Sequence, residues 1–434
     1  MKVIRNQRGV AFIFEVILIA AVLVIAALAF RTYNRHKDAQ NGKQNSQVTS
    51  LGDANSLDPV TKGKALSNGQ CSGQGSSALT HAPMNVQDVS VIEPMGAVVG
   101  AHVTPIDHEY YYGANQNAPI DTYPVYADAD GTIGAVEYSN NGGIGPAWWV
   151  TIAHSCTFLS NYNLMTSIAP DIKAKLPKSW GPNSNGGVHI AVKSGQLIGY
   201  VGHQSLDYQV WDTTKTLKGL LYKTAYNNAE PWKVNTVAPL DYFTAAVKAQ
   251  ILPLYVRTAS PLDGRIDYDV SGEAVGSWFL VGSNGYAGSG GAASQANFSY
   301  SSTHLSLTYD SIDPTALTFS IGDYQGQPNQ FGVISNVDWT KITPASGLVK
   351  VELGTRTWTT PSGAQWLGQR ATGIKMTAGG LQATALLQMT GKDNMKVELF
   401  PGKTPAQVTG FSSAAKAYDR GQNAHMVTST TATP

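Results

Sequence analysis

The most apolar stretch of the chain lies close to its N-terminus. Residues 10–30 read VAFIFEVILIAAVLVIAALAF, in which Glu15 is the one charged residue. About 20 consecutive apolar residues cross the hydrocarbon core of a bilayer as a helix, whereas a cleaved signal peptide has a shorter apolar run that ends in a small-residue cleavage site. The pattern therefore predicts an uncleaved transmembrane anchor over residues 10–30, preceded by a cytoplasmic tail of residues 1–9.

Charge alone does not orient this segment, because basic residues stand on both sides of it. Lys2, Arg5 and Arg8 precede it, and Arg31, Arg35 and Lys37 follow it. Most of the chain lies C-terminal to the segment. We therefore predict a single-pass cell-membrane protein with its N-terminus inside and its C-terminal bulk extracytoplasmic.

Beyond the anchor, the pattern changes twice. Residues 31–88 are mostly polar and predict a flexible linker. From Val89 onward, short β-branched or aromatic runs alternate with Gly and Asn turns, which is typical of strands. These runs predict a β domain with an insertion over residues 89–252 and a C-terminal β-sandwich or barrel over 253–411, followed by a flexible tail, 412–434.

The fold predicted from these patterns is mainly β. Helical patterns occur over residues 163–176, within the expected insertion, and over residues 240–251.

The charge balance excludes several functions. The chain has 30 basic and 29 acidic residues and a formal net charge of +1. A protein that binds nucleic acid through a strongly basic surface is therefore not expected. Hydrophobic residues make up 42% of the chain, which excludes global disorder.

Cys71 and Cys156 are the two cysteines of the chain. No CxxC pair is present, so thiolate zinc sites and thioredoxin chemistry are excluded. Outside the cytoplasm the two cysteines are candidates for one disulfide. Two unpaired thiols are the alternative.

Two glycine-containing segments carry a family resemblance. Residues 124–136 read YPVYADADGTIGA, and residues 192–202 read VKSGQLIGYVG. A glycine turn between strands, followed by a VKxGQxIGxxG strand pair, resembles the lysostaphin-like (LytM-type) zinc endopeptidases, which cut peptide cross-links in bacterial cell walls. The resemblance covers residues 95–212. It implies a β domain with zinc as its cofactor, and the sequence indicates no other cofactor.

In that family the zinc ligands come from an HxxxD motif and from an HxH motif after the last GxxG turn. His102 and Asp107 stand in the first region, with four residues between them instead of three. Asp207 stands at the second His of the HxH position, and Ser205 at the first. The resemblance therefore implies His102, Asp107 and Asp207 as candidate metal ligands, a set with more carboxylates than zinc usually has.

The acid–base group is less well defined. The family has a YxH strand whose imidazole polarises the bound water, but here Asn163 follows Tyr162 at that position. His154 and His108 are weaker candidates for the catalytic role. Each of these histidines has a plain alternative as a hydrogen-bonding residue of a turn or a strand.

The N-terminus carries a second resemblance. The stretch QRGVAFIFE is similar to a type IV prepilin leader, which has a basic tail, a glycine at the cleavage site and a glutamate five residues into the mature helix. Gly9 and Glu15 match these features, although Glu15 is the sixth residue after the glycine. This resemblance implies a pilin-like structural subunit.

Three functions follow from these patterns. The leading hypothesis is a membrane-anchored cell-envelope protein whose peptidase-like domain is degenerate and acts in wall binding or in regulation of a hydrolase. Its expected partners are the membrane, through residues 10–30, and peptidoglycan or a cell-wall hydrolase. The alternatives are an active zinc metalloendopeptidase that cleaves peptidoglycan peptides with an altered ligand set, and a pilin-like subunit. The loss of family imidazoles favours an inactive protein.

Overall fold

The structure is a computed structural model that describes residues 53–141, 145–181, 183–289 and 300–423. The predicted anchor, the prepilin-like leader and the first part of the predicted linker lie outside the described residues. Among the residues that are described, none of the helices has the length and apolar character needed to cross a membrane.

The described residues are mainly β-structure, as predicted, with short helices between strands. The α-helices are α1 (Pro59–Leu66), α2 (Pro170–Lys173) and α3 (Ala245–Ile251). The 3-10 helices are Val86–Asp88, Lys223–Tyr226, Lys233–Asn235, Pro239–Asp241, Leu252–Leu254, Ser301–Thr303, Trp339–Lys341, Pro344–Ser346 and Pro405–Gln407. The strands of the first half are β1 (Val89–Glu93), β2 (Glu109–Gly113), β3 (Tyr123–Tyr126), β4 (Gly131–Asn141), β5 (Gly145–Ala153), β6 (Phe158–Met165), β7 (Ser167–Ile168), β8 (Ser184–Val192), β9 (Leu197–Val201), β10 (Leu206–Asp212) and β11 (Thr236–Val237). The strands of the second half are β12 (Gly276–Leu280), β13 (His304–Tyr309), β14 (Leu317–Tyr324), β15 (Gln327–Val333), β16 (Val349–Thr359), β17 (Lys375–Gly391), β18 (Asn394–Pro401) and β19 (Lys416–Asp419).

The first half is built on an eight-stranded antiparallel sheet in the order β1-β2-β10-β6-β5-β4-β8, with β11 added to β10. A small sheet, β3-β9-β7, lies against it. The main core of this half contains apolar side chains from both sheets, among them Val125, Val150, Tyr162, Ile198 and Val210. The core therefore lies between one face of the large sheet and the small sheet.

The second half is a closed antiparallel barrel of strands β12 to β19. Its core contains alternate residues of each strand, such as Leu305 and Leu307 of β13, because successive side chains of a strand point to opposite faces. Ser306, between them, donates a hydrogen bond of 2.7 Å to the carbonyl of Val103. The outer face of β13 thus packs against the first half, and of the two predicted C-terminal architectures the structure has the barrel.

The predicted helices are shorter than the sequence pattern indicates. Over residues 163–176 the structure has the end of β6, then β7 and the single-turn helix α2. Leu164 has a positive φ of 64°, which a helix does not allow, and Ser167 pairs with Tyr200 of β9. Over residues 240–251 the α-helix begins at Ala245, after a 3-10 turn. Tertiary strand pairing overrides the local pattern in the first case.

The described part of the predicted linker is packed on the sheet, which differs from the prediction. Asp58 caps α1 by accepting hydrogen bonds from two backbone amides of its first turn. Leu66 of α1 packs with Leu159 and Trp211 of the large sheet. The predicted flexible tail differs as well, since β19 lies within residues 412–434 and closes the barrel.

A disulfide explains why the polar N-terminal stretch is held in place. Cys71 and Cys156 are joined, with their Cα atoms 5.0 Å apart and 85 residues apart in sequence. The backbone N–H of Cys156 also donates to the carbonyl of Gly73 at 3.0 Å. The segment after α1 is therefore attached to the turn between β5 and β6 by a covalent bond and by backbone hydrogen bonding.

We expect removal of this disulfide to destabilise the first half. A cross-link that closes a loop of this length restricts the unfolded chain, and its loss costs about 2–4 kcal/mol. Cys71→Ser should lower the free energy of unfolding by that amount in denaturant titrations. The exposed neighbour Ser72→Ala serves as the control and should leave it unchanged. Equal stability of the wild-type protein with and without reductant would contradict the expectation.

Candidate functional site

The two faces of the large sheet differ in chemistry because side chains alternate along each strand. On β10, Tyr208 and Val210 belong to the apolar core, whereas Asp207 and Gln209 point to the other face. Gln209 Nε2 donates to Asn161 Oδ1 of β6 at 3.2 Å. We call the face that carries Asp207, Gln209 and Asn161 the polar face. The candidate ligand Asp207 thus lies on the polar face.

The polar face is covered by other parts of the chain. Trp232 stacks on Trp211 of β10, with ring centroids 5.5 Å apart and 29° between planes. It meets Trp149 of β5 edge-on at 5.7 Å. Leu66 of α1 packs into the same cluster. The segment that contains Trp232 and the segment that contains α1 therefore both lie over this face.

A buried group of charged side chains lies beside Trp232, and we call it the His108 cluster: Asp107, His108, Asp207, Glu230 and Lys233. His108 stands between two carboxylates, with Nδ1 3.2 Å from Asp107 Oδ1 and Nε2 3.4 Å from Asp207 Oδ2. Lys233 Nζ lies 3.3 Å from Glu230 Oε2 and 4.0 Å from Asp107 Oδ1. Both ring nitrogens of His108 thus face acidic oxygens.

Neighbouring groups hold these carboxylates in place. Trp232 Nε1 donates to Asp107 Oδ2 at 3.1 Å, and Ser205 Oγ donates to Asp207 Oδ1 at 3.2 Å. The side chains of His108, Asp107 and Asp207 are 11%, 6% and 8% exposed. The cluster is therefore largely shielded from water, and its charges interact strongly.

The protonation of His108 follows from this geometry. Burial by itself disfavours the imidazolium, but the Asp207 and Asp107 carboxylates outweigh it and raise the pKa of His108 above its ordinary value of 6.5. Burial also disfavours the charged form of Asp107, yet Lys233 and His108 outweigh it and hold the pKa of Asp107 well below its usual range. Burial raises the pKa of Glu230. The cluster thus favours the charged form of His108 and the ionised form of Asp107.

The structure brings most of the predicted metal candidates into this cluster, but not in the predicted arrangement. Asp107 and Asp207 lie on opposite sides of His108. The ring of His102 meets that of His108 nearly edge-on, with centroids 6.1 Å apart. His108, for which the sequence analysis expects a catalytic role and not a ligand role, faces Asp207 through its Nε2 atom.

His154 lies in a different environment. Its Nε2 is 3.2 Å from Asp128 Oδ1, and its Nδ1 is 2.8 Å from the carbonyl of Asp130. Tyr208 donates to the other oxygen of Asp128 at 2.6 Å. Since Tyr208 points to the core face of β10 and Asp207 to the polar face, His154 and His108 lie on opposite sides of the sheet. The structure does not bring His154 to the His108 cluster.

The surroundings of His154 contain an Asp, a His and a Ser, but they do not form a catalytic triad. His154 Nε2 faces both Ser160 Oγ, at 2.9 Å, and Asp128 Oδ1. In a triad one ring nitrogen faces the acid and the other faces the nucleophile. The side chains of His154 and Asp128 are fully buried. This group forms a buried hydrogen-bond network in the core.

The His108 cluster does not fit a catalytic zinc ion, which needs three protein ligands and an open position. His108 Nε2 and Asp207 Oδ2 provide two donors. Tyr112 follows on the same face of β2, and its hydroxyl donates to Glu93 at 3.2 Å. Nowhere in the described ranges do three or more His, Cys, Asp or Glu side chains form a group that could hold a metal ion. The ammonium of Lys233 also repels a divalent cation.

Sequence reasoning missed the residues that complete the cluster. Trp232 contacts Asp107 across 125 positions of sequence, and no local pattern marks Trp232 or Lys233. The sequence around β2 does contain a pattern that could have indicated His108 as the histidine of the HxxxD motif. His108 and Tyr112 keep the three-residue gap of the family motif, with tyrosine at the Asp position.

Comparisons with known proteins add little to this geometry. No protein-family model and no curated protein matches the chain. Two crystal structures of Csd3 from Helicobacter pylori are similar to parts of it. One has a TM-score of 0.22 and 18% identity and covers 39% of this chain and 36% of that chain. The other has a TM-score of 0.20 and 21% identity, with coverages of 32% and 31%. The chain thus spans about a third of the length of these structures, and likenesses of this size carry no argument about function.

We expect the stabilisation of the His108 cluster to depend on pH. Because the pKa of His108 is raised in the folded protein, its contribution is fully present below pH 6.5 and is lost as pH rises through the folded-state pKa. Asp207→Asn removes one partner of a buried ion pair, and it should lower the free energy of unfolding by about 3–5 kcal/mol near pH 6. The difference from wild type should shrink at alkaline pH.

Two measurements check this expectation. Denaturant titrations at several pH values give the stability difference, and NMR titration of the histidine rings should show the pKa of His108 falling in Asp207→Asn. The control is Asp130→Asn, which removes the exposed ion pair with Lys193 and should leave stability nearly unchanged. A stability loss in Asp207→Asn that is the same at all pH values would contradict the assignment.

Proposed function

We propose that the chain is a membrane-anchored, extracytoplasmic protein of the cell envelope. Its first β domain resembles the LytM-type peptidases but has no peptidase activity, and it acts in binding the wall or in regulating a wall hydrolase. The proposal rests on the sequence resemblance over residues 95–212 and on the His108 cluster. The apolar run of residues 10–30 supports the membrane anchor, and the Cys71–Cys156 disulfide supports an oxidising compartment.

The single observation that carries the loss of activity is the position of His108 between Asp107 and Asp207. A zinc peptidase needs a neutral imidazole as a ligand and carboxylates that are free to coordinate the metal. Here the two carboxylates face the His108 ring, whose pKa they raise, and Lys233 lies within 4.0 Å of Asp107. The negative charge that would attract a metal ion is therefore balanced by the protein itself.

Access to the cluster supports the same conclusion. Hydrolysis needs an open position for water next to the metal. Trp232 donates to Asp107 from one side, and its ring packs on Trp211. A peptide substrate would have to displace this indole. The alternative of an active peptidase with an altered ligand set therefore requires a rearrangement of the covering segment.

A metal-content measurement tests the first step of the proposal. The full-length protein in detergent micelles is incubated with a zinc salt, passed through a desalting column and analysed for metal. We expect far less than one zinc per chain, and the same value for Asp207→Ala, because two donors beside an ammonium bind zinc weakly. About one zinc per chain that is lost in Asp207→Ala would overturn the assignment of a degenerate site.

A sedimentation assay tests wall binding and cleavage together. The full-length protein in micelles is mixed with purified peptidoglycan sacculi, and the pellet and the release of new amino groups are measured. We expect the protein to pellet with the sacculi. We expect no release of amino groups that a chelator would abolish. His108→Ala should likewise release none. Chelator-sensitive release that His108→Ala abolishes would contradict an inactive domain, and protein that stays in the supernatant would contradict wall binding.

A further inference from the structure

Lys62 is a buried lysine in the first turn of α1. It is 4% exposed, and lysines are rarely buried to this extent unless an acidic side chain pairs with them. Within the described ranges, the structure shows no ion pair for Lys62. Its Nζ instead donates a hydrogen bond to the side-chain oxygen Oδ1 of Asn55, which lies in the turn before α1. The amine of this lysine therefore faces a carboxamide.

The environment of Lys62 favours the neutral amine. Burial disfavours the ammonium, and the positive charge of Lys223 acts in the same direction. Together they lower the pKa of Lys62 to about 7, against the opposing effect of the Asp53 carboxylate. A neutral amine has a free electron pair, and lysines with a lowered pKa act as nucleophiles for this reason. Near neutral pH, Lys62 thus presents a nucleophile to Asn55.

Two further hydrogen bonds hold Asn55 in place. Its Nδ2 donates to the carbonyl of Lys223 at 2.7 Å, and its backbone N–H donates to Asn227 Oδ1 at 3.1 Å. Both ends of the carboxamide therefore have partners, so its plane does not turn freely. A fixed carbonyl carbon beside a fixed amine is the arrangement in which intramolecular reactions are strongly accelerated.

A carboxylate lies beside this pair. Asp53 Oδ1 accepts hydrogen bonds from Asn227 Nδ2 at 2.7 Å and from the backbone N–H of Asn55 at 3.2 Å. Its negative charge also acts on the amine of Lys62. A carboxylate placed in this way can take a proton from an attacking amine and pass it to a leaving group. The group thus contains a nucleophile, an electrophile and a proton carrier.

We propose that Lys62 and Asn55 form an intramolecular isopeptide bond after the chain folds. Lys62 Nζ attacks Asn55 Cγ, so that a bond forms between these two atoms and the bond between Cγ and Nδ2 breaks. Asp53 takes a proton from Nζ and passes it to Nδ2, which leaves as ammonia. The step changes no oxidation state and needs no other reactant. It links the turn before α1 covalently to the first turn of the helix, and it does not depend on a role in the cell wall.

Peptide mass spectrometry tests this modification. The full-length protein is reduced, denatured and digested with trypsin, which does not cleave after an acylated lysine. We expect a wild-type peptide that continues through Lys62 to Lys64, with a mass one ammonia below that of its sequence. Fragment spectra should place the link between Asn55 and Lys62. The peptide is measured and not the intact chain, so processing of the N-terminus does not affect the result.

Three variants serve as controls. Lys62→Arg and Asn55→Ala should show no loss of ammonia and should be cleaved after position 62. Asp53→Ala should slow the appearance of the link in freshly synthesised protein by about a hundredfold or more. Formation of the Cys71–Cys156 disulfide in each variant shows that the chain around α1 has folded.

Three results would contradict the proposal. Complete cleavage after Lys62 in the wild-type protein would overturn it, because the amine would then be unmodified. Loss of ammonia that persists in Lys62→Arg would also overturn it, because an asparagine would then be cyclising by itself. A link that forms equally fast in Asp53→Ala would overturn the role of Asp53 in proton transfer.

Discussion

The alternation of side chains along β10 is the constraint on which the rest of the first half depends. Tyr208 and Val210 enter the core between the two sheets, and this fixes Asp207 and Gln209 on the other face. A slip of one residue would exchange these sets and bury a carboxylate without its partners. Pairing with β2 on one side and β6 on the other holds the register. The position of Asp207 beside His108 is thus a consequence of how the core packs.

The same constraint explains how charge is arranged on the two faces. Each face has a buried histidine with a carboxylate, His108 with Asp207 and His154 with Asp128. The carboxylates of each pair raise the pKa of their histidine against the opposing effect of burial. On the core face, tyrosine and serine hydroxyls complete the hydrogen bonding of Asp128. On the polar face, Trp232 donates a hydrogen bond to Asp107, and Lys233 lies within 4.0 Å of it. On both faces carboxylates favour the charged form of a buried histidine against the effect of burial, but the surrounding partners differ.

The sequence predicts the class of the fold and part of the site, and the physical reason for the limit is sequence distance. Period-two patterns and glycine turns indicate the strands, and their spacing indicates a C-terminal sandwich or barrel, of which the structure has the barrel. The candidates Asp107, His108 and Asp207 do converge. His108 directly precedes β2, and the pairing of Asp207 with Tyr110 places it near Asp207, which the sequence pattern did not indicate. Lys233 and Trp232 lie more than a hundred residues from Asp107, and only the folded chain brings them close.

Polar composition also misled the prediction of flexibility. The residues from Asp53 to Cys71 have few apolar side chains, which is typical of a linker. A few contacts suffice to order these residues. Leu66 packs on the sheet. Gly63 lies so close to Cys156 that a side chain at position 63 would clash with the carbonyl oxygen of Cys156. Glycine is needed at this position because the helix and the turn approach each other without a gap.

The disulfide also decides how the protein responds to mechanical load. Tension applied to the chain N-terminal of Cys71 pulls first on α1 and its packing against Leu159 and Trp211. Once those contacts yield, the force passes through the covalent bond to Cys156, at the turn between β5 and β6. It bypasses the 84 residues between the two cysteines, which include β1 to β5. The edge strand β1 is therefore not peeled from the sheet, and the load is carried by strands in the middle of the sheet, where each is hydrogen-bonded on both sides.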